Sequence, residues 1–436
     1  MKQQKKLISK NRDRRRWILL WILSSIFLKL IIISRLDSGI WLGADGESYV
    51  NGAKALLQDG FYSKSPVLQY WPAGYPITIV LIAKIFAAQT LPFLAFFQSV
   101  VFAYAIWHFS STLSKTSLAS LTPWISFFLS FAPTLSLSSL TLGYESLVSS
   151  LLIMISSILF RVTLGEKRLL PLLSAAGLFS SYMVFLQPRY VLVSLIWMVC
   201  LFVFSKSRKP LLLPLTSALL ILALLPGILV ARNQQATGSF VISTNLGTTM
   251  NIGAGVGATG GYVNSGSGVD CDVTNPSDSD LVKCVIKWYL NNPQETFRLA
   301  WSKSLYFWSP WYGPNANGTM ARNPWLKFNP IVYLSQSDDG KLIVFGKFGK
   351  TFSYAWTFMN LFLMIFGLIL IMNSSDLIRR LWWILAVPIA TSWVMAIGTI
   401  GDHRFRLPIM GFVIICEIVG INRLLQWRRM RDLNPR

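Results

Sequence analysis

The chain has 436 residues, of which 53% are apolar, 14% aromatic and only 13% charged, so several segments are too apolar to be covered by a soluble surface. Its net charge of +22 would suit a nucleic-acid partner, but the basic residues stand mainly in short clusters between apolar runs, as in the cytoplasmic loops of membrane proteins. Composition and charge therefore predict an all-α integral membrane protein and exclude a nucleic-acid-binding protein.

The first apolar run, residues 17–34, follows a strongly basic head and lacks a small-residue cleavage site, which predicts a retained membrane helix and a cytoplasmic N-terminus. Each later apolar run is also predicted to be helical, because lipid leaves no other way to satisfy the backbone hydrogen bonds. We therefore expect a bundle of about 10 to 12 transmembrane helices. The later runs are residues 76–90, 92–113, 118–132, 134–163, 171–187, 188–205, 210–231, 351–373, 379–400 and 407–426.

The basic clusters predict the sidedness of the connecting segments. Clusters at residues 166–168, 206–209 and 379–380, and the basic tail from residue 423, are predicted to be cytoplasmic. Periodicity leaves open whether two or four crossings separate the first loop from residue 145. The chain is expected to comprise a transmembrane catalytic module (1–231, with a first external loop at 35–75), an external loop with interfacial helices (232–350), and C-terminal transmembrane helices with a cytoplasmic tail (351–436).

Several elements are predicted outside the apolar runs. Residues 46–58 have helical spacing and end before Gly60, whereas residues 247–268, rich in glycine and serine, are predicted to form a loop. Residues 279–308 have helical spacing on either side of Asn292-Pro293 and enough Trp and Tyr to lie along the membrane surface. Cys271 and Cys284 can form a disulfide if their loop faces an oxidising compartment.

The predicted topology gathers charged residues from distant segments on the external face. Glu145 lies inside an apolar stretch, where an ionisable group usually has a partner or a task. Carboxylates in such a place suit activation of an acceptor hydroxyl or binding of a divalent cation, and arginines suit a phosphate. The gathered residues are Asp45, Glu47, Glu145, Arg189, Arg232, His403, Arg404 and Arg406.

Simpler interpretations stand beside this one. Asp45 can cap the helix at 46–58, since a carboxylate is favourable at a helix N-terminus. Arg404 and Arg406 can anchor the chain at lipid head groups rather than grip a phosphate. No cluster of His and Cys has zinc spacing and no P-loop is present, so a zinc hydrolase and a nucleotide-driven pump find no support.

Several sequence blocks, in order, resemble the GT-C superfamily of polytopic glycosyltransferases that use polyprenyl-phosphate-linked sugars. The first blocks, "GADGESYVNGAKALLQDGFY" and "YWPAGYP", are similar to the first external loop of the protein O-mannosyltransferase-like and aminoarabinose-transferase-like branch. The later blocks are "LTLGYESLVSSLL", "FLQPRYVLV", "PGILVARNQQATGSFVISTNLGTTMNIGAG", "NNPQETFRLAWSKSLYFW" and "HRFRLPIM". Together they cover most of the chain.

The resemblance implies roles for individual residues. It implies that Asp45 is catalytic, with Glu47 completing a D-x-E motif and Glu145 supplying a second acid. Arg404 and Arg406 inherit a phosphate-binding role, and Lys303 is a further candidate for contact with the donor phosphate. Arg189, Arg232 and His403 complete the expected substrate-binding set, although the family's Arg-Pro order is inverted at Pro188-Arg189.

The resemblance implies a transferase that moves a sugar from a polyprenyl phosphate to an acceptor hydroxyl by single displacement with inversion. The acceptor is left open among glycan, lipid and protein, and so is a divalent cation, Mg or Mn, held by Asp45 and Glu145. A polysaccharide polymerase or ligase acting on lipid-linked glycans, and a lipid-sugar flippase, remain as alternatives. We expect the protein in the inner or plasma membrane of a bacterium, with both termini cytoplasmic and the active site external.

Overall fold

The computed structural model describes residues 2–42, 45–205, 207–262, 268–271, 276–308, 334–336, 342–344 and 346–433. The described chain is almost entirely helical, with two pairs of very short strands. The first half contains α1 (Lys2–Arg35), β1 (Trp41–Leu42), α2 (Gly46–Asp59), α3 (Pro66–Tyr70), α4 (Gly74–Phe86), α5 (Thr90–Leu113), α6 (Thr122–Phe131), α7 (Pro133–Leu137), β2 (Thr141–Leu142), α8 (Glu145–Thr163), α9 (Leu169–Leu186) and α10 (Val191–Phe204).

The second half continues with the same character. It contains α11 (Leu212–Thr237), α12 (Leu246–Ile252), α13 (Asp278–Asn291), α14 (Pro293–Phe307), β3 (Leu334–Gln336), β4 (Leu342–Val344), α15 (Gly346–Met372), α16 (Asp376–Arg379), α17 (Leu381–Gly398) and α18 (Met410–Leu433). Short 3₁₀ turns at Ala87–Gln89, Ser117–Ser120, Ser138–Leu140, Pro188–Tyr190, Lys209–Leu211 and His403–Ile409 join several of these helices.

The class predicted from composition is confirmed. Eight helical stretches among the described residues are long and apolar enough to cross a membrane, and one of them, Gly74–Leu113, contains both α4 and α5. Shorter apolar segments supply α6 and α10. The chain is an all-α integral membrane protein.

Helix α8 lies at the centre of the bundle. It packs against α5, α9, α17 and the turn at His403–Ile409, and nearly all of its side chains are buried. Its buried serines, among them Ser149, Ser150 and Ser156, are small enough to let neighbouring helix backbones approach. A Cβ at Gly177 of α9 would likewise collide with the backbone of α11 at Ala218, so glycine permits that close packing.

The prediction of one continuous helix over residues 134–163 is wrong. The chain there forms the short helix α7, a 3₁₀ turn and β2 before α8 begins at Glu145. Side chains from other elements satisfy the buried backbone groups that the break leaves without helical partners. The Gln98 amide donates to the carbonyls of Ser139 (2.9 Å) and Thr141 (3.1 Å), and the Tyr75 hydroxyl accepts from the Gly143 N–H (2.9 Å). Irregular backbone is tolerated within an apolar bundle when protein groups satisfy it in this way.

Strands β1 and β2 connect segments that are 100 residues apart. They pair in parallel, with Trp41 opposite Thr141 and Leu42 opposite Leu142. Asp45 and Glu145 each follow this pairing by three residues and stand where α2 and α8 begin. The equal spacing from a shared register brings the two carboxylates to one place.

The segment between α11 and α15 departs from expectation at two points. Helix α11 continues to Thr237, beyond the predicted end of its run, and α12 occupies the beginning of the segment predicted as a loop. The break at Asn292-Pro293 is confirmed, because α13 ends at Asn291 and α14 begins at Pro293. Cys271 and Cys284 form a disulfide that ties the preceding loop to α13.

Candidate functional site

Three side chains from distant parts of the chain meet at the N-terminal end of α8. Arg404 Nε donates to Glu145 Oε1 at 2.8 Å, and Arg404 Nη2 donates to Asp45 Oδ2. The acids lie 259 and 359 residues from Arg404 along the chain. The side chains of Arg404, Asp45 and Glu145 are only 13%, 16% and 8% exposed, so water weakens these ion pairs little. We call these three residues the acid–arginine cluster.

Local structure holds each member of the cluster in place. Asp402 accepts from the Arg404 backbone N–H at 2.8 Å, which sets the start of the 3₁₀ turn that carries Arg404. A Cβ at Gly143 would collide with Glu145 Oε2, so the glycine leaves room for the carboxylate to fold back over the chain. Asp45 and Glu145 are positioned by the β1–β2 pairing.

The simpler interpretation of Asp45 as a helix cap is only half right. Asp45 occupies the N-cap position of α2, but its side chain makes no capping hydrogen bond and instead contacts Arg404. Glu47, two residues later, is exposed in the first turn of α2. The structure thus brings Asp45 to the cluster through its side chain and leaves Glu47 facing outward.

Aromatic side chains line the cluster. Tyr49 is 2% exposed and makes edge contacts with Tyr75 and Tyr144, whose ring centroids lie 5.0 and 6.4 Å away. Among the described residues its hydroxyl has no hydrogen-bond partner. Burial, with the negative charge of Asp45, raises the pKa of Tyr49 well above its usual value, so this hydroxyl remains a neutral donor.

Arg189 lies beside the cluster despite its inverted Pro-Arg order. Its guanidinium stands 4.2 Å from the Phe405 ring centroid, and its Nη2 donates to the Tyr144 hydroxyl at 2.9 Å. Its Nε has no partner in the portion of the chain that is described. Arg189 thus places a second guanidinium against Tyr144 and Phe405, which adjoin Glu145 and Arg404 in the chain.

Arg406 has a different environment from Arg404. It is 5% exposed, its guanidinium lies 5.6 Å from the centre of the Trp308 ring, and Glu417 of α18 interacts with it electrostatically. The two arginines, separated by Phe405, therefore contact different neighbours. Their expected joint grip on one phosphate stays a prediction.

Lys303 and Arg232 are both buried, and their polar atoms are engaged by other groups. Lys303 Nζ donates to the Tyr289 hydroxyl (2.8 Å) and the Ile397 carbonyl (3.0 Å), and burial lowers its pKa to about 7. Arg232 donates to the carbonyls of residues 61, 63 and 68 and to Asn233 Oδ1, which ties α11 to the segment after α2. Their expected roles in donor binding stay predictions. The side chain of His403 lies outside what the structure describes.

The two carboxylates of the cluster are the expected cation ligands. Within the described ranges, no group of three or more His, Cys, Asp or Glu side chains is arranged to hold a metal ion. Asp45 and Glu145 offer carboxylate oxygens, which suit Mg²⁺ or Mn²⁺, but both are engaged by Arg404. A cation between them would have to displace that guanidinium.

Sequence reasoning missed two residues near the expected site. Glu417 stands alone in the last apolar run, and the argument applied to Glu145, that an acid in an apolar run needs a partner, would have found it. Tyr49 lies on the apolar face of the predicted helix at 46–58, where nothing local distinguishes it from a packing residue.

Comparisons with known proteins add little to this geometry. No protein-family model matches the sequence, and no curated protein matches it. Among solved structures, the chain is similar to the archaeal oligosaccharyltransferase AglB from Archaeoglobus fulgidus, in complex with an inhibitory peptide and a dolichol-phosphate, with 12% identity and a TM-score of 0.47. The match covers 95% of this chain and 52% of AglB, so the chain spans about half its length. A likeness of this degree identifies neither the family nor the activity of this chain.

Proposed function

We propose that the protein is a GT-C-type glycosyltransferase that moves a sugar from a polyprenyl-phosphate carrier to an acceptor hydroxyl with inversion. The observation that carries the proposal is the acid–arginine cluster, in which two carboxylates share one guanidinium at the end of an apolar bundle. The sequence blocks that resemble the GT-C superfamily include all three members of the cluster. A lipid-linked donor suits a site at the end of membrane-spanning helices.

The proposed reaction is a single displacement. The acceptor oxygen attacks the anomeric carbon of the sugar while Asp45 takes the hydroxyl proton. The bond between the anomeric carbon and the phosphate oxygen breaks, and the carrier phosphate leaves with the electron pair. Arg404 and the neighbouring Arg189 stabilise the negative charge that develops on this phosphate.

The shared guanidinium suggests how donor binding prepares the base. A phosphate that binds Arg404 competes with the carboxylates for its N–H groups, because each Arg404 nitrogen in the cluster contacts one carboxylate oxygen. Asp45 would then be released toward the acceptor while Glu145 continues to hold Arg404 through Nε. Glu145 acts in this proposal as a positioning residue.

The donor is a polyprenyl-phosphate-linked sugar, the acceptor is a glycan, lipid or protein, and the requirement for Mg or Mn is left to experiment. We propose an external active site in the inner or plasma membrane of a bacterium, with both termini cytoplasmic. The basic clusters support this sidedness, and the Cys271–Cys284 disulfide suits an oxidising compartment.

The test is deletion of the gene in its host, followed by comparison of glycans and polyprenyl-phosphate sugars. We expect a polyprenyl-phosphate sugar to accumulate and one glycan to be lost. Asp45→Asn should fail to restore the glycan, with transfer reduced by about 10²- to 10⁴-fold, the usual contribution of a general base. Asp37→Asn, which neutralises an exposed acid of the same loop, is the matched control and should restore it.

Further variants separate the competing interpretations. Because Glu47 is exposed, Glu47→Gln should retain far more transfer than Asp45→Asn. Full activity in Asp45→Asn would favour a polymerase or ligase that works without this base. Transport of a labelled lipid-sugar that survives both Asp45→Asn and Arg404→Ala would support a flippase instead. Unchanged glycans after deletion, with lost solute uptake, would contradict the glycosyltransferase.

A further inference from the structure

A second site lies at the opposite end of α8 from the acid–arginine cluster. A cavity of about 310 Å³ opens where α8 and α10 end and where α9, α11 and α17 begin. Glu145 is the first residue of α8 and Thr163 its last, so about 28 Å separates the two sites at 1.5 Å per residue. The cavity therefore belongs to a different surface of the bundle.

The charged groups of the cavity leave it positive. Lys167 and Arg380 line it, together with one acid, Glu166. The carboxylate of Glu166 is already taken up by Arg161, which donates from Nε (2.8 Å) and Nη2 (2.7 Å) in a bidentate pair. The two lining cations are thus not neutralised by the acid beside them.

The backbone adds to this positive character. Helices α9, α11 and α17, of 18, 26 and 18 residues, direct their N-terminal ends toward the cavity, and such ends favour anions. The C-terminal ends of α8 and α10 oppose them, but Arg380 donates to the Thr163 carbonyl and so offsets the end of α8. The helix ends around the cavity, taken together, therefore favour binding of an anion.

One of the residues that line the cavity carries a buried hydrogen-bond donor without an acceptor. Trp383 lines the cavity and is 2% exposed, and its indole N–H has no hydrogen-bond partner among the described residues. Leaving a buried donor unpaired costs about 1–3 kcal/mol, so such groups usually have an acceptor. An oxygen-rich ligand would supply one.

Part of the wall is apolar and reaches the outer surface of the bundle. Leu201, Phe204 and Leu211 line the cavity, and Phe204 packs against the rings of Trp382 and Trp383 with centroids 6.1 Å away. Phe204 is also 51% exposed on the outer surface of the bundle. An acyl chain can therefore leave the cavity along α10 without entering water.

We propose that this cavity binds the phosphate head group of an anionic membrane lipid. Lys167 and Arg380 contact the phosphate, the Trp383 N–H donates to a head-group oxygen, and the acyl chains lie against Phe204. Lipid binding at this site requires no glycosyl transfer, so it can be tested independently of the proposed function. By the sidedness expected from the basic clusters, it faces the cytoplasmic leaflet, where anionic lipids attract basic segments.

The test is native mass spectrometry of the purified full chain with dioleoyl phosphatidylglycerol, dioleoyl phosphatidylcholine or inorganic phosphate. We expect tight retention of phosphatidylglycerol and weaker retention of phosphatidylcholine. Lys167→Gln and Arg380→Gln should each weaken phosphatidylglycerol binding about fivefold, the loss expected for one neutralised cation at a membrane surface. Trp383→Phe, which removes the N–H together with part of the indole ring, should also weaken phosphatidylglycerol binding.

Two matched controls make the result specific to the cavity. Arg168→Gln neutralises an exposed cation next to Lys167, and Trp382→Phe alters the ring next to Trp383, yet neither residue lines the cavity. Both should bind phosphatidylglycerol as the parent does. Lys167 is exposed, so its variant keeps the test decisive if Arg380→Gln fails to fold.

Three results would overturn the proposal. Equal losses in Lys167→Gln and Arg168→Gln would show that only general surface charge matters. Equal affinity for phosphatidylglycerol and phosphatidylcholine would remove the anionic preference. Displacement of the lipid by inorganic phosphate at equal concentration would show that the apolar wall contributes nothing and that the ligand is a free anion.

Discussion

Neutralising Arg404 should lower the free energy of unfolding more than neutralising either acid. A variant that neutralises all three residues should be more stable than the Arg404 variant alone. Arg404→Gln leaves Asp45 and Glu145 facing each other without a counter-charge in a site where the side chains are 8% to 16% exposed. Breaking a buried ion pair by deleting one partner costs roughly 3–5 kcal/mol, and we expect about 3 kcal/mol here, because the edge of the site meets water.

The variants that neutralise one acid should lose less stability than the Arg404 variant. In Asp45→Asn, Arg404 keeps its 2.8 Å bond to Glu145, and in Glu145→Gln it keeps Asp45, so each should lower the free energy of unfolding by about 1–2 kcal/mol. The triple variant replaces all three charges with neutral amides, of which the two that replace the acids keep their shape and the one that replaces arginine is shorter, and it should lie within about 2 kcal/mol of the parent. Residues in one ion-pair network usually show coupling energies of roughly 0.5–3 kcal/mol.

The assay is reversible unfolding of the purified chain in mixed micelles, with far-ultraviolet circular dichroism to confirm helix content. Asp37 is an exposed acid outside the cluster, so the free energy of unfolding of Asp37→Asn should match that of the parent within about 0.5 kcal/mol. Additive losses across the triple variant, or an Arg404→Gln variant as stable as Asp45→Asn, would refute the reasoning that Arg404 neutralises both acids.

Further predictions concern residues outside the cluster. Between about pH 7 and 10, Lys303 is deprotonated in the folded chain but protonated in the unfolded chain, so the stability of the parent should rise with pH. Lys303→Met should remove this rise, which thermal unfolding at pH 6.5 and 9.5 measures. Replacing Cys271 and Cys284 with serine should lower unfolding free energy by about 3 kcal/mol, as expected for a loop of this length, with dithiothreitol on the parent giving the same loss. Arg232→Met should destabilise by about 2–4 kcal/mol by leaving three carbonyls without this donor, and an unchanged stability with weakened donor binding would contradict that structural role.

Much of the bundle was predictable because its signals are local. Helix α2 and its end at Gly60, where φ is +82°, follow from spacing and from the preference of glycine for that backbone conformation. The separation of α13 from α14 follows from Pro293, which favours the first turn of a helix and ends the preceding one. These features depend on residues within a few positions of one another.

The sequence predicted which residues belong to the candidate site but not which of their side chains are in contact. Asp45, Glu145 and Arg404 were selected by charge, by their expected shared face and by resemblance to a family, but none of these says which side chains touch. Charge and expected face do not distinguish Glu47 from Asp45, and only the resemblance favours Asp45; in the structure Glu47 is exposed and Asp45 contacts Arg404. Arg404 and Arg406 likewise differ, because the 3₁₀ turn that carries them places their side chains among different neighbours.

The sequence by itself determined that this chain crosses a membrane, where most helices lie and which charged residues are candidates, because apolar runs and basic clusters are read along the chain. Only the tertiary structure decided that the apolar run at 134–163 is interrupted, since Gln98 and Tyr75 satisfy its backbone from other helices. It also decided that β1 pairs with β2 in a register that sets Asp45 and Glu145 around Arg404. These contacts join residues between 41 and 359 positions apart, and hydrophobic periodicity carries no information at such distances.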